Sequence, residues 1–267
     1  MMAFLDKLIR LQSVSKILEM FFTGRKLSKF VLGQANNIVF VYELARKLWM
    51  EVNPWMPKEK CVVVHNSIPD TLFKPCNLRK ELGIKETTPV IAFTGRVTKS
   101  KGCETIVKAL GLIKNMNFAM VFIGACKPKG YSARLLSLAE CLGIKDKLYF
   151  YGFTDKARGL IAEADIGLSP SIVREACPLS PMEFMKLGKS IIATNNGAQS
   201  EYIDHGKNGI LVSPGNVEQL STAIGILLEN VGLRNQIGNK ARAYFNENLE
   251  YSIFLGKMLA VYKQQKL

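Results

Sequence analysis

Pro89-Val90-Ile91-Ala92-Phe93-Thr94-Gly95-Arg96-Val97-Thr98-Lys99-Ser100-Lys101-Gly102 opens as an apolar run of strand length and stops on a glycine. Two basic side chains follow five positions apart, and helical spacing begins past the second glycine, over Thr105 to Ile113. Glycine lets a backbone approach closely, and a helix N-terminus attracts anions. The strand–loop–helix rhythm then repeats. Phe118 to Ile123 is a strand ending at Gly124, Ser132 to Leu142 a helix, Leu148 to Tyr151 a strand, and Ala157 to Ala164 a helix. Ile166 to Leu168, Ser190 to Thr194 and Gly209 to Val212 read as further strands, and Pro181 to Leu187 as a helix. A short turn of helix is expected over Glu201 to Ile203, and longer helices over Val217 to Glu229 and Leu233 to Asn246. Short apolar strands alternating with helices predict an α/β fold with a Rossmann-like parallel sheet covered on both faces. Ligands of such sheets bind at the carboxyl ends of the strands. That rule selects Asn66, Gly95, Gly124, Gly152, Ser169 and Asn195.

Upstream, Phe4, Leu8, Leu11, Val14, Leu18, Phe21 and Phe22 fall close to helical spacing, with Lys7, Arg10 and Lys16 opposite. This amphipathic helix suits packing against protein, or resting on an anionic lipid surface. Lys26 to Leu32 reads as a second helix, Asn37 to Tyr42 as a short strand, and Glu43 to Met50 as a third helix. Pro54 and Pro57 break the chain before the strand Cys61 to Val64. The organisation expected is a helical N-terminal segment and linker over 1–58, a Rossmann-like domain over 59–249, and a C-terminal helix over 250–267. Tyr251, Phe254, Met258, Leu259 and Tyr262 form the apolar stripe of that last helix.

Composition narrows the chemistry. Lys and Arg number 36 against 22 Asp and Glu, a formal charge of +14, which favours phosphates, nucleic acid or acidic lipid as partners. No compact arginine stripe interleaved with aromatics is present, so no nucleic-acid partner is expected. The six cysteines form no CxxC pair, and with two histidines no metal site is expected. No apolar stretch reaches the roughly 18 to 20 residues of a membrane span, and the start lacks a signal peptide's pattern. A cytoplasmic setting is expected, with the inner face of a membrane as the alternative location.

A second motif is Arg174-Glu175-Ala176-Cys177-Pro178-Leu179-Ser180-Pro181-Met182-Glu183, which sets two carboxylates eight positions apart. Glu175 lies in a loop and Glu183 in the following helix, whose first turn Pro181 suits. One carboxylate can bond sugar hydroxyls and the other ribose hydroxyls, with the loop amides between them meeting a diphosphate. Two surface acids flanking a turn are the plainer account. Leu187-Gly188-Lys189-Ser190 echoes the end of a phosphate-binding P-loop, but Glu183 stands where its first glycine belongs.

Taken in order, these pieces resemble the C-terminal, donor-binding half of a retaining GT-B glycosyltransferase of the glycogen-synthase-like, or GT4-type (group 1), family. Val64-His65-Asn66-Ser67-Ile68-Pro69-Asp70 with Phe73 is similar to the start of the family's donor domain. Gly95-Arg96 with Lys101-Gly102 resembles its phosphate loop, and Ala164-Asp165-Ile166 with Ser169-Pro170-Ser171 its "A-D…PS" stretch. Glu175 to Glu183 resembles E-x7-E, Gly197 and Glu201 fit the next loop, and Gly206 with Gly209-Ile210-Leu211-Val212 fits "G…G-L-L-V".

The resemblance implies a GT-B C-terminal domain with a remnant of an N-terminal, acceptor-side domain. It implies metal-independent transfer of a sugar from a UDP-, GDP- or ADP-sugar, with retention of configuration, to a glycan, lipid-linked or small-molecule acceptor. No cofactor beyond the donor is implied. Arg96 and Lys101 would neutralise the diphosphate, Glu175 would orient the sugar, and Glu183 would bind ribose. Gly95, Gly124, Phe153, Cys177, Pro178, Leu179 and Ser180 would complete the nucleotide-sugar site. Ser67, Gly124-Ala125-Cys126 and Ala176-Cys177 depart from the family's usual residues. The expected partner is an acceptor-domain subunit or a second copy of the chain. A non-catalytic nucleotide-sugar-binding subunit is the alternative.

Overall fold

The computed structural model describes residues 25–70 and 76–263. The helix expected over Phe4 to Phe22 and Phe73 of the family pattern lie outside them. The N-terminal segment holds α1 (Arg25–Gly33), β1 (Ile38–Phe40), α2 (Glu43–Val52) and β2 (Cys61–Val63). β1 and β2 pair in parallel, Ile38 against Cys61 and Phe40 against Val63, as a separate two-stranded sheet. The strand at Cys61 thus pairs with the segment before it and does not join the larger sheet. Phe30, Val31, Leu48 and Val52 of α1 and α2 are exposed.

The larger sheet has six parallel strands. In chain order the elements are α3 (Leu78–Leu82), β3 (Val90–Thr94), α4 (Cys103–Leu112), β4 (Ala119–Ile123), α5 (Tyr131–Cys141), β5 (Leu148–Gly152) and α6 (Ala157–Ile161). They continue with β6 (Ile166–Ser169), α7 (Leu179–Lys186), β7 (Ser190–Thr194), β8 (Ile210–Val212), α8 (Val217–Glu229), α9 (Val231–Asn248) and α10 (Tyr251–Lys263). The strand order is β5-β4-β3-β6-β7-β8. Winding runs outward from β3 in one direction and then reverses at β6, so a crevice opens between the loops that leave β3 and β6.

Alternation along the strands sorts the core into two layers. Ile91, Phe93, Met120, Phe122, Ile166, Leu168 and Ile192 point to the face covered by α4, α5 and α8, where Ile106, Leu110, Leu135 and Ile224 are buried. Val90, Ala92, Ala119, Val121, Ile191 and Ala193 point to the face covered by α6, α7 and α9, through Leu160, Met182, Phe184 and Phe245. With both faces covered, all five residues of β3, β4 and β7 are buried.

Asp165 binds the amino ends of β3 and β6 together. Its Oδ2 accepts from Val90 N at 2.8 Å and from Arg79 Nη2 at 3.0 Å, while Arg234 Nη2 stands 3.6 Å from Oδ1. Its own amide donates to Val90 O at 2.8 Å. The acid of the "A-D" stretch is therefore a structural residue at the amino ends of the central strands, away from the crevice.

Glu201, at the end of a 3₁₀ turn over Ala198–Glu201, ties the two sheets. Its carboxylate accepts from the first amides of α2, Glu43 N at 2.8 Å and Leu44 N at 2.9 Å, and from His65 Nε2 at 3.0 Å. An anion at a helix N-terminus stabilises it. Burial pushes this carboxyl up, and the two amides and His65 together outweigh burial and hold it below its ordinary value. A depressed carboxyl contributes stability above its unfolded pKa, near 4.3, and loses it as pH falls through the folded value. Glu201→Ala is expected to cost about 2 kcal/mol at pH 7. Thermal melts should show that gap closing below about pH 4, and a gap independent of pH would sink the assignment.

Candidate functional site

At the carboxyl ends of β3, β4 and β5 lies a cavity of about 520 Å³. Of the residues expected to form the site, Gly95, Arg96, Gly124, Phe153, Ser180 and Glu183 line it. Lys101, Glu175, Cys177, Pro178 and Leu179 are not among its lining residues; Lys101 stands in the β3–α4 loop, Glu175, Cys177 and Pro178 in the segment leading from β6 into α7, and Leu179 at the first position of α7. Glu183 and Gly95 thus face one cleft.

Two glycines set the shape of this rim. A Cβ on Gly124, where φ is +142°, would meet Gly95 O at 1.9 Å. One on Gly102, where φ is +77°, would meet Pro170 O at 2.0 Å. Only a residue without a side chain lets the loop after β3 touch its neighbours on both sides.

Ser180 and Glu183 come from the first turns of α7. Ser180 Oγ and Thr94 Oγ1 are 2.6 Å apart, which ties the helix start to the end of β3. Pro178 caps α7 without a side-chain hydrogen bond, and the first-turn amides of a helix favour an anion. Glu183 is half-buried, with Arg158 Nε donating to its Oε1 at 3.2 Å. Burial raises its carboxyl above the ordinary range, and the Arg158 guanidinium works against that rise. Phe153 stands 85% exposed at the mouth, an apolar plate of the kind a planar base can stack on.

Lys101 and Glu175 form a second cluster beside the crevice. Lys101 Nζ is 2.8 Å from Glu175 Oε1, and Ser171 Oγ donates to the same oxygen at 2.9 Å. The Glu175 carbonyl accepts from Ala198 N at 3.1 Å, which links this loop to the one after β7. Cys177 packs next to Asn66; burial pushes its thiol up, against hydrogen bonds from the Asn66 backbone and side chain. Ammonium and carboxylate are thus presented as a pair, with Glu175 held by its backbone and by two side chains.

Sequence reasoning missed Arg158, Lys127 and Thr94. Lys127 and Thr94 line the cavity, and Arg158 grips Glu183 from α6. Thr94 is marked only by preceding Gly95, and Arg158 belongs to no motif. Among the described residues no group of His, Cys, Asp and Glu is placed to hold a metal ion, and no helix is long and apolar enough to cross a membrane.

Comparison with known proteins gives these elements a lineage. An uncharacterized glycosyltransferase of Methanocaldococcus jannaschii is 28% identical over 217 residues, covering 78% of this chain and 55% of that protein. The chain spans about half the length of the curated relatives it matches. The crystal structure of a glycosyltransferase from Rickettsia africae superimposes with a TM-score of 0.78 at 26% identity, over 86% of this chain and 64% of that one. Anabaena HepE in complex with UDP superimposes with the same TM-score of 0.78 over the same shares, and at 20% identity that likeness shows the fold. The fold is GT-B-like, a smaller N-terminal remnant beside a larger Rossmann-like sheet. The family model for glycosyl transferases group 1 matches residues 76–244, more than half the chain, and the chain belongs to that family.

Proposed function

We propose that the cavity at the ends of β3, β4 and β5 binds a nucleoside-diphosphate sugar. In this reading the chain is the donor-binding part of a retaining, metal-independent glycosyltransferase. The observation that carries it is the meeting of Arg96 and Glu183 in one cavity beside the reversal point of the sheet. A guanidinium there suits phosphate oxygens, and a carboxylate at ribose distance from a helix N-terminus suits a vicinal diol. Phe153 stacks on the base, and the start of α7 faces the diphosphate. Lys101 approaches the β-phosphate from its pairing with Glu175, and Glu175 turns its second oxygen to the sugar hydroxyls. Positive charge from Arg96, Lys101 and the α7 amides stabilises the departing diphosphate, so no metal is required. The acceptor, a glycan, lipid-linked or small molecule, is aligned by an acceptor-binding domain that closes over the sugar and excludes water.

The test is calorimetry with UDP, GDP and ADP. One of the three should bind, and Glu183→Ala should weaken it by about tenfold or more, the worth of a hydrogen bond to a charged group. Unchanged affinity in that variant would remove the ribose contact from the scheme.

A further inference from the structure

Arg158 is the second residue of α6, the five-residue helix that follows Phe153. Its neighbour Ala157 lines the cavity, while its own side chain reaches across to α7. Two of its anchors lie among the described residues. Nε donates to Glu183 Oε1 at 3.2 Å, and Nη1 donates to the Pro69 carbonyl at 3.2 Å. Arg158 is 24% exposed and Glu183 19%. Among the described residues, Glu183 Oε2 has no hydrogen-bond partner.

We propose that Arg158 is a positioning residue for the nucleotide: it holds one oxygen of Glu183 and leaves the other turned to the ribose hydroxyls. This rests on the ribose role of Glu183 proposed above. Three physical points support it. First, a guanidinium is planar, with donors in a fixed fork, so two anchors on different elements set its plane and direct Nε. A lysine, with one nitrogen on a flexible stem, cannot reproduce this. Second, Arg96 and Lys127 line the same cavity and attract the carboxylate toward the phosphate end. A nearer cation on the α6 side holds Glu183 on its own wall and leaves Arg96 and Lys127 to the diphosphate. Third, a half-buried carboxyl tends to take up a proton. Arg158 keeps it ionised, and an ionised carboxylate accepts from a sugar diol more strongly than a protonated one. Also among the described residues near this wall, Lys186 of α7 pairs with Asp70, which follows Pro69.

A purely structural ion pair predicts a different result. A partly exposed pair contributes little to stability, and losing it would not change which sugars the cavity prefers. The experiment therefore reads a ligand ratio. The full chain is titrated calorimetrically with the ribo- and the 2′,3′-dideoxy-diphosphates of uridine, guanosine and adenosine, at pH 8.5 and pH 6.5. Titration of the phosphates is common to both members of each pair and cancels in the ratio of their affinities. In the wild-type chain the ribonucleotide should bind about tenfold or more tightly than its dideoxy analogue at both pH values. In Arg158→Met the preference should shrink to about twofold at pH 6.5 and recover in part at pH 8.5, because the carboxyl now protonates at higher pH. Arg158→Lys, which keeps the charge and loses the second anchor, should fall between. A wild-type ratio retained by Arg158→Met at both pH values overturns the inference. If Arg158→Met does not melt cooperatively, Arg158→Lys decides by the same ratio. A wild-type chain that binds none of the three, or binds ribo and dideoxy forms alike, overturns the ribose reading of Glu183 instead.

Discussion

Gly124→Ala should lose measurable nucleotide affinity and about 3 kcal/mol or more of stability. The added Cβ lands 1.9 Å from the Gly95 carbonyl oxygen, which is backbone and has no rotamer to escape into. Moving either strand end breaks hydrogen bonds that set the cavity floor: Gly95 N to Ile123 O at 3.0 Å, Gly124 N to Gly152 O at 2.8 Å, and Val97 N to Ala125 O at 2.9 Å. Gly152→Ala is the matched control. Its φ of +85° is also left-handed, but no atom lies within 4 Å of its Cβ, so only the conformational cost of about 1–2 kcal/mol remains. Thermal melts and calorimetry on the two variants separate the effects. Equal losses would mean that the contact with Gly95 does not govern the site.

The second large effect is expected far from the cavity. Asp165→Ala removes the carboxylate between Arg79 and Arg234 and strips Val90 N of its partner. Two guanidinium groups, 13% and 10% exposed, are then left without the anion between them. Breaking such a pair costs about 3 kcal/mol, a fall of roughly 6–12 °C in thermal midpoint for a chain of this size. Asp165→Asn, which can still accept from Val90 N, should lose less. Nucleotide affinity measured well below the midpoint should be unchanged in both variants. A matching loss of affinity would place Asp165 in the site after all.

The two variants also mark where sequence reading succeeds and where it stops. Val90–Thr94, Ala119–Ile123 and Ser190–Thr194 were legible because strands buried on both faces are continuous apolar runs. The carboxyl-end rule then picked out Gly95 and Gly124 with no alignment. Partner choice was not legible. Cys61–Val63 is apolar, but three residues carry no information about which strand they join, and β1 takes them. The helix Leu78–Leu82 was missed because five residues, three of them charged, give too little period to detect. Asp165 and Glu201 find their partners across 86 and 158 positions. Nothing local in the chain announces such a pairing. Arg158 lies 25 positions from Glu183 with a strand between them. Lys101 meets Glu175 across 74 positions, a pairing that the spacing of the two motifs did not announce.

The contact of Gly102 with the Pro170 carbonyl has a consequence for how this sequence can drift. The loop after β3 and the loop after β6 are held at backbone van der Waals distance, so neither can lengthen or shorten alone without forcing the other to change as well. Insertions and deletions should therefore be rare between Gly95 and Gly102 and between Ser169 and Glu175, and common in outward turns such as the one around Gly143, where a Cβ meets nothing within 4 Å. Under the donor-binding reading proposed above, new donor preferences would arise by exchanging side chains on an unchanging backbone, at Ala125 in the cavity and at Cys126, Ala176 and Cys177 in the loops beside it. A library that varies those four positions and leaves both loop lengths alone samples the substitutions this architecture can tolerate.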